Sequence, residues 1–153
     1  MYASIPEFSQ YDVWGPNSEE DTKNFIKDAQ QKEQKNPQYE FEFAVVLKDS
    51  GELIGGCGIR RDWETGSVAN LGYAISPDFQ SRGYATEITV FLLSFGFNDL
   101  GLAVIYATCD TENTASYKVM EKAGMKRVGH VKDHKMMKEK MRDSYCYEAI
   151  KPD

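Results

Sequence analysis

Histidine is almost missing from this 153-residue chain, which has two, and its three cysteines are scattered. Cys57, Cys109 and Cys146 form no Cys-x-x-Cys pair, and each sits in a strand-like run. Neither a zinc site nor a disulfide framework is indicated, so buried free thiols and no metal are expected. His130 and His134 read as surface residues near a strand edge. No apolar run approaches the ~18 residues of a membrane span, and no signal peptide heads the chain. A soluble, cytoplasmic protein without membrane contact is the expectation. Basic residues are also in deficit: 18 Lys and Arg stand against 24 Asp and Glu, a net charge of −6. That argues against a nucleic-acid binder, which carries a basic face. Mild acidity suits a cationic or amine substrate, but it is also an ordinary solubility feature, and the second reading carries more weight. There is no internal repeat, low-complexity tract or linker, so residues 1–153 read as one domain.

Apolar residues are present in the amount a packed core needs: 41% hydrophobic and 12% aromatic. Tyr2, Ile5, Phe8, Tyr11, Val13 and Trp14 make the N-terminal segment too apolar for a free tail. Ser18 and Asp21 have the spacing of a capping box, opening a helix that Lys35-Asn36-Pro37 ends. Residues 40–48 and 53–59 read as a β-hairpin. Gly55, Gly56 and Gly58 within its second strand imply a bulge, a close backbone approach or packing space beneath a helix. Residues 68–75 form a third strand. Residues 86–98 are apolar on nearly every side and predict a buried helix. A strand over 103–109, a helix over 113–123 closed by Gly124, and strands over 125–131 and 145–150 complete the chain. The charged segment 132–143 is expected to join the last two strands. The order β-β-β-α-β-α-β-β predicts a mixed α/β sheet.

The most informative stretch is 71–98. An apolar strand is followed by Ser76-Pro77-Asp78, then Gln80-Ser81-Arg82-Gly83-Tyr84-Ala85, then the apolar helix. A helix start offers unpartnered N–H groups and the positive end of a dipole, which together suit an anion. Gly83 lets a ligand approach the backbone, and Arg82 adds a cation that can reach a phosphate. One glycine in a strand-to-helix turn needs no ligand to explain it. A dinucleotide fingerprint is excluded because no second glycine precedes Gly83 by two residues, and a P-loop is excluded because Gly-Lys-Ser/Thr is absent.

Gln80-x-x-Gly83-x-Ala85 resembles the acyl-coenzyme A pyrophosphate loop of the GNAT acyltransferase superfamily, and the wider string resembles its ribosomal-protein N-terminal acetyltransferase branch. A second match follows. Asn113 to Met125 is similar to the signature Asn-x-x-Ser-x-x-Val-x-Glu-Lys-x-Gly-Phe, with Met125 in place of Phe. The resemblance implies a GNAT fold and acetyl transfer from acetyl-coenzyme A to an amine, on a small molecule or a protein N-terminus. It implies that Ala74, Ile75, Ser76, Gln80, Ser81, Arg82, Gly83, Tyr84, Ala85, Thr86 and Asn113 hold the coenzyme. Ser116 and Asn113 are the catalytic candidates. The simple alternatives stand beside this: Asn113 as an N-cap, and Ser116 as a first-turn serine satisfying backbone groups.

Three departures from the family pattern matter. Many relatives carry a Tyr acid seven residues after the Asn, where this chain has Met120. The branch often carries a Glu base in the strand before the loop, where this chain has Asn70, which cannot take a proton. Glu64, Glu112 or a water are the substitutes the sequence offers. The family's first strand is not recognised near the N-terminus, so an exposed sheet edge, and a homodimer that covers it, are further expectations. A non-catalytic acyl-coenzyme A binding or sensing module is the rival reading.

Overall fold

The computed structural model describes residues 2–12 and 14–153, so Val13 lies outside the described residues. Two short 3-10 turns, Tyr2–Ser4 and Pro6–Ser9, lead into α1 (Glu19–Glu33). The capping box is present: the Asp21 N–H donates to Ser18 Oγ at 3.1 Å, and the Ser18 N–H donates to Asp21 Oδ2 at 2.9 Å. The N-terminal aromatic residues pack together, with Phe8 edge-on to both Tyr2 and Trp14. Then follow β1 (Glu40–Val46), β2 (Leu53–Arg61), β3 (Val68–Ile75), α2 (Tyr84–Ser94), β4 (Val104–Asp110), α3 (Thr114–Lys122), β5 (Lys126–Met137) and β6 (Lys140–Ile150). The expected element order is the observed one. α2 does not stop at Ser94 but widens into a π-helical turn over Phe95–Asp99.

The six strands form one sheet in the order β1-β2-β3-β4-β6-β5. Only β3 and β4 run parallel. Strand alternation places Ala69, Leu71 and Ile75 of β3 and Ile105, Ala107 and Cys109 of β4 in one core, against Ile88, Leu92 and Leu93 of α2 and Met120 of α3. α1 contacts β1 from the other side, where Lys32 reaches Glu40 at 2.7 Å.

Two of the three β2 glycines have a steric reason, and at Gly56 a Cβ would make only ordinary contacts. A Cβ on Gly55 would overlap the Ala74 carbonyl oxygen, so close backbone approach requires that glycine. The β1–β2 register also slips between Val45 and Val46, a bulge beside it. Gly58 instead makes room for the Glu42 carboxylate.

Segment 132–143 corrects the expected connection. It is strand, with Lys135 opposite Arg142 and Met137 opposite Lys140, after an irregularity between Val131 and Lys135. The hairpin turns on Lys138 and Glu139, both left-handed at φ 48° and 64°. That geometry matches the twist of flanking strands but is usually supplied by Asn-Gly. Without those residues, and with charges crowding the tip, the sequence conceals the turn.

Candidate active site

β3 and β4 pair over only three positions, Val68 to Asn70 against Val104 to Tyr106. Beyond them β3 stays bonded to β2 as far as Ile75, and β4 stays bonded to β6 as far as Asp110. Two parallel neighbours that part company leave a wedge, with strand backbone free to pair with an extended ligand. The coenzyme-loop candidates sit at the β3 lip of this wedge. The α3 candidates follow the β4 lip.

At the β3 lip the chain turns sharply. The Ser76 N–H donates to the Ile54 carbonyl at 2.7 Å, and a 3-10 turn follows over Pro77–Phe79. The Gln80 side-chain amide donates to the Ile75 carbonyl at 2.9 Å, so Gln80 braces the loop. Ser81 and Gly83 both have positive φ, 60° and 86°. Gly83 is the N-cap of α2 and supplies no side-chain cap, so the first N–H groups of α2 are left without a side-chain partner there. A Cβ on Gly83 would meet nothing within 4 Å, so this mouth is open. Backbone in this conformation turns successive N–H groups toward one point, a concavity for an anion. Arg82 is folded back: its guanidinium donates to the Asp78 carbonyl at 2.9 Å and lies 5.2 Å from the Phe79 ring centre. Loop, glycine and dipole together suit a pyrophosphate.

Across the wedge, Asn113 Oδ1 accepts the Ser116 N–H at 3.1 Å, capping α3. The cap uses the carboxamide oxygen and leaves the Asn113 amide nitrogen for a ligand. Ser116 is joined to β3 by a contact that sequence reasoning missed. The Tyr73 hydroxyl donates to the Ser116 carbonyl at 3.0 Å and lies 3.1 Å from Ser116 Oγ. Burial pushes the Tyr73 phenol well above its usual range, so its proton stays on at neutral pH. The signal available was alternation alone: Tyr73 shares the core-facing parity of Leu71 and Ile75. Met120 is buried at 2% exposure, so the position where relatives carry a Tyr acid is part of the core.

Asp110 ends β4 and is buried. Arg142 grips its two oxygens at 2.7 and 2.6 Å and holds Asp110 below the usual carboxylate range. Arg142 also binds Glu112, so this base candidate is engaged in an ion pair. Glu64 lies in the turn between β2 and β3, where its N–H donates to Asp62 Oδ1. That turn is at the end of β3 opposite the loop. His130 is bonded to Asp143 at 2.8 Å, and His134 to Ser144 at 2.9 Å. The buried Cys57 and Cys109 thiols are pushed up to about 11, chiefly by burial, so neither is an activated nucleophile.

Among the described residues no helix is long and apolar enough to cross a membrane. The family model for the acetyltransferase (GNAT) domain matches residues 1–126. An N-acetyltransferase of Bacillus subtilis named YnaD, itself uncharacterised, is 32% identical over 149 residues, 97% of this chain and 84% of that protein. A GNAT-family acetyltransferase structure from Bacillus anthracis superposes with a TM-score of 0.85 at 31% identity, covering 97% of this chain and 84% of that one. A spermidine N-acetyltransferase from Vibrio cholerae, solved with CoA and spermine, shares the fold with a TM-score of 0.82 at 18% identity, over 98% and 86% of the two chains. With the wedge, the loop and these matches in agreement, the chain belongs to the GNAT family of N-acetyltransferases.

Proposed function

We propose that this protein moves an acetyl group from acetyl-coenzyme A directly to an amine, bringing both substrates together in the wedge between β3 and β4. The observation that carries the reading is the alignment of three features along one cleft. These are the anion-suited start of α2, the edge of β3 that β4 leaves unpaired over residues 71–75, and the Tyr73–Ser116 hydroxyl pair. The pyrophosphate rests on the N–H groups of Arg82 to Thr86, with Gln80 and Ser81 shaping the loop. The pantetheine arm follows Ala74, Ile75 and Ser76 toward Asn113. Ser116 protonates the departing thiolate. The protonated state of the Cys57 and Cys109 thiols supports direct transfer over an acyl-cysteine intermediate. The acceptor is the amine of a small molecule or of a protein N-terminus. The reaction belongs in the cytoplasm, where free cysteines stay reduced. β1 ends the sheet, and a homodimer along that edge is part of this reading.

A non-catalytic acyl-coenzyme A sensor is the second reading, favoured by Asn70 and by the burial of Met120. Calorimetric titration with acetyl-coenzyme A, beside thiol release with a panel of amines, separates the two. Micromolar binding that is lost in Gly83→Glu confirms the cradle, since a carboxylate there occupies and repels the anion's place. Binding without thiol release leaves the sensor. No binding by the parent protein sinks both.

A further inference from the structure

The sheet face turned away from α2 and α3 carries a row of three opposed positions leading to the wedge. Glu42 of β1 lies opposite Gly58 of β2, and Gly58 lies opposite Gly72 of β3. Directly opposed residues share a face. Their strand neighbours Phe41, Phe43, Leu71 and Tyr73 pack into the core, so this row points the other way.

Two of the three positions have no side chain, for different reasons. A Cβ on Gly58 would collide with the Glu42 carboxylate, Oε2 foremost, so Glu42 lies folded over Gly58 toward β3. Gly72 has no such neighbour. It is exposed, and a Cβ there would meet nothing within 4 Å. Nor is it among the glycines with positive φ, so the backbone does not demand glycine. Glycine inside a strand is unfavourable relative to alanine, so what the residue preserves is empty space. That space lies beside the wedge, two residues past Asn70, where β3 last pairs with β4.

We infer that this trough receives the acceptor amine and that Glu42 is the general base that takes its proton; the inference rests on the transferase reading above. Arg60 donates to Glu42 Oε1 at 2.6 Å and fixes the carboxylate, leaving Oε2 for the substrate. Strand spacing of about 4.8 Å puts Oε2 roughly one strand from Gly72, within reach of an amine or of one bridging water. Asn70 flanks Gly72 on the same face and cannot perform this role. The charged groups around Glu42 are Arg60, Glu40 on its own strand, and Lys32 of α1, which holds Glu40. The Tyr2 hydroxyl bounds the row at Gly56. In the reaction the ammonium loses a proton to Glu42 Oε2, and the nitrogen lone pair forms the C–N bond to the thioester carbonyl carbon. The C–S bond then breaks, and its electron pair leaves on sulfur, which takes a proton from Ser116 or solvent. The second N–H proton and the one on Glu42 pass to water, and Ser116, where it has given its proton, regains one from water.

The test uses the full chain with Glu42→Gln and Gly72→Ala. Acetyl-coenzyme A binding is followed by calorimetry. Turnover is followed by thiol release with spermidine, lysine, and peptides beginning with alanine or serine. Glu42→Gln should bind acetyl-coenzyme A as the parent does. Glu42→Gln should lose about 10²-fold in kcat/KM for the amine at pH 7, the scale of one general base. That deficit should narrow as pH rises toward the amine's own pKa, because the amine then arrives already deprotonated. Gly72→Ala should raise KM for the amine more than it lowers kcat. A Glu42→Gln variant as active as the parent, or impaired equally at every pH, overturns the assignment. Lost acetyl-coenzyme A binding in Glu42→Gln overturns the placement of the trough on the acceptor side. A parent protein that binds acetyl-coenzyme A and releases no thiol with any of these amines overturns the transferase reading instead, and this inference with it.

Discussion

Tyr73 and Ser116 stand 43 residues apart in the chain and share one hydroxyl contact across the wedge. Ser116 could be picked out from its place three residues after Asn113. Tyr73 could not, because a strand residue's partner depends on how far its neighbour has splayed. Removing the phenol oxygen leaves the ring to pack and takes away its contacts with the carbonyl and the hydroxyl of a first-turn serine. Tyr73→Phe should therefore cost about 1 kcal/mol of stability. If Ser116 is the acid, kcat should also fall while acetyl-coenzyme A affinity stays the same, a split that steady-state kinetics beside calorimetry will resolve. Asp110 gives a second prediction at this scale. Its carboxylate is held down by Arg142, so the pair's contribution is present above the unfolded carboxylate pKa of about 4 and fades as pH falls below it. Arg142→Met should lower the melting temperature at pH 7. The gap from the parent should shrink through acid pH, as read by thermal melts between pH 7 and pH 3. Neither partner announced itself in the sequence, because they are 32 residues apart and acidic and basic residues abound in both segments.

At the scale of elements, helices were legible and the long hairpin was not. Ser18 with Asp21, and Asn113 before Thr114, are local signals, and local signals survive folding. α2 starts two residues before the apolar pattern predicts, because Tyr84 and Ala85 belong both to the loop motif and to the first turn. The β5–β6 tip was hidden for the opposite reason: its turn uses Lys138 and Glu139, which carry no turn signature, at φ values that side chains resist. Replacing this pair by Asn-Gly should relieve that resistance and stabilise the protein by roughly 1 kcal/mol. Chemical denaturation should show a higher midpoint with an unchanged slope. β6 is also clasped to α3 by Arg127. Its guanidinium lies 3.9 Å from the Tyr145 ring centre, and its Nε donates to the Tyr147 hydroxyl, which in turn donates to Glu121. This clasp ties the helix that carries Ser116 to the sheet.

At the scale of the whole molecule, a mixed sheet followed from the element pattern, but the strand order and the wedge did not. Asn70 interrupts the apolar run of β3 at the third pair, but a single polar residue on a strand face does not show that the next strand departs there. The opening is a property of the assembled sheet. Acetyl-coenzyme A that lies between the lips should slow hydrogen exchange at residues 71–75 and 107–110 more than at the β1–β2 hairpin. Mass spectrometry of peptic fragments, with and without ligand, would show it, and uniform protection would contradict the placement.

The brevity of the β3–β4 ladder has a consequence for how the chain can be divided. From β1 to the exposed Gly101 the chain forms one antiparallel unit, β1-β2-β3 with α2, and from β4 on it forms another, β4-β6-β5 with α3. A cut there severs no antiparallel ladder and separates halves joined by three strand positions, by helix packing, by the Tyr73–Ser116 contact and by the N-terminal segment, whose Gln10 and Tyr11 line a cavity with Met137 and Arg142 of the last hairpin. Such halves suit complementation, each piece keeping its own hairpin, with the nucleotide-bearing thioester acting as the bridge that draws them back together.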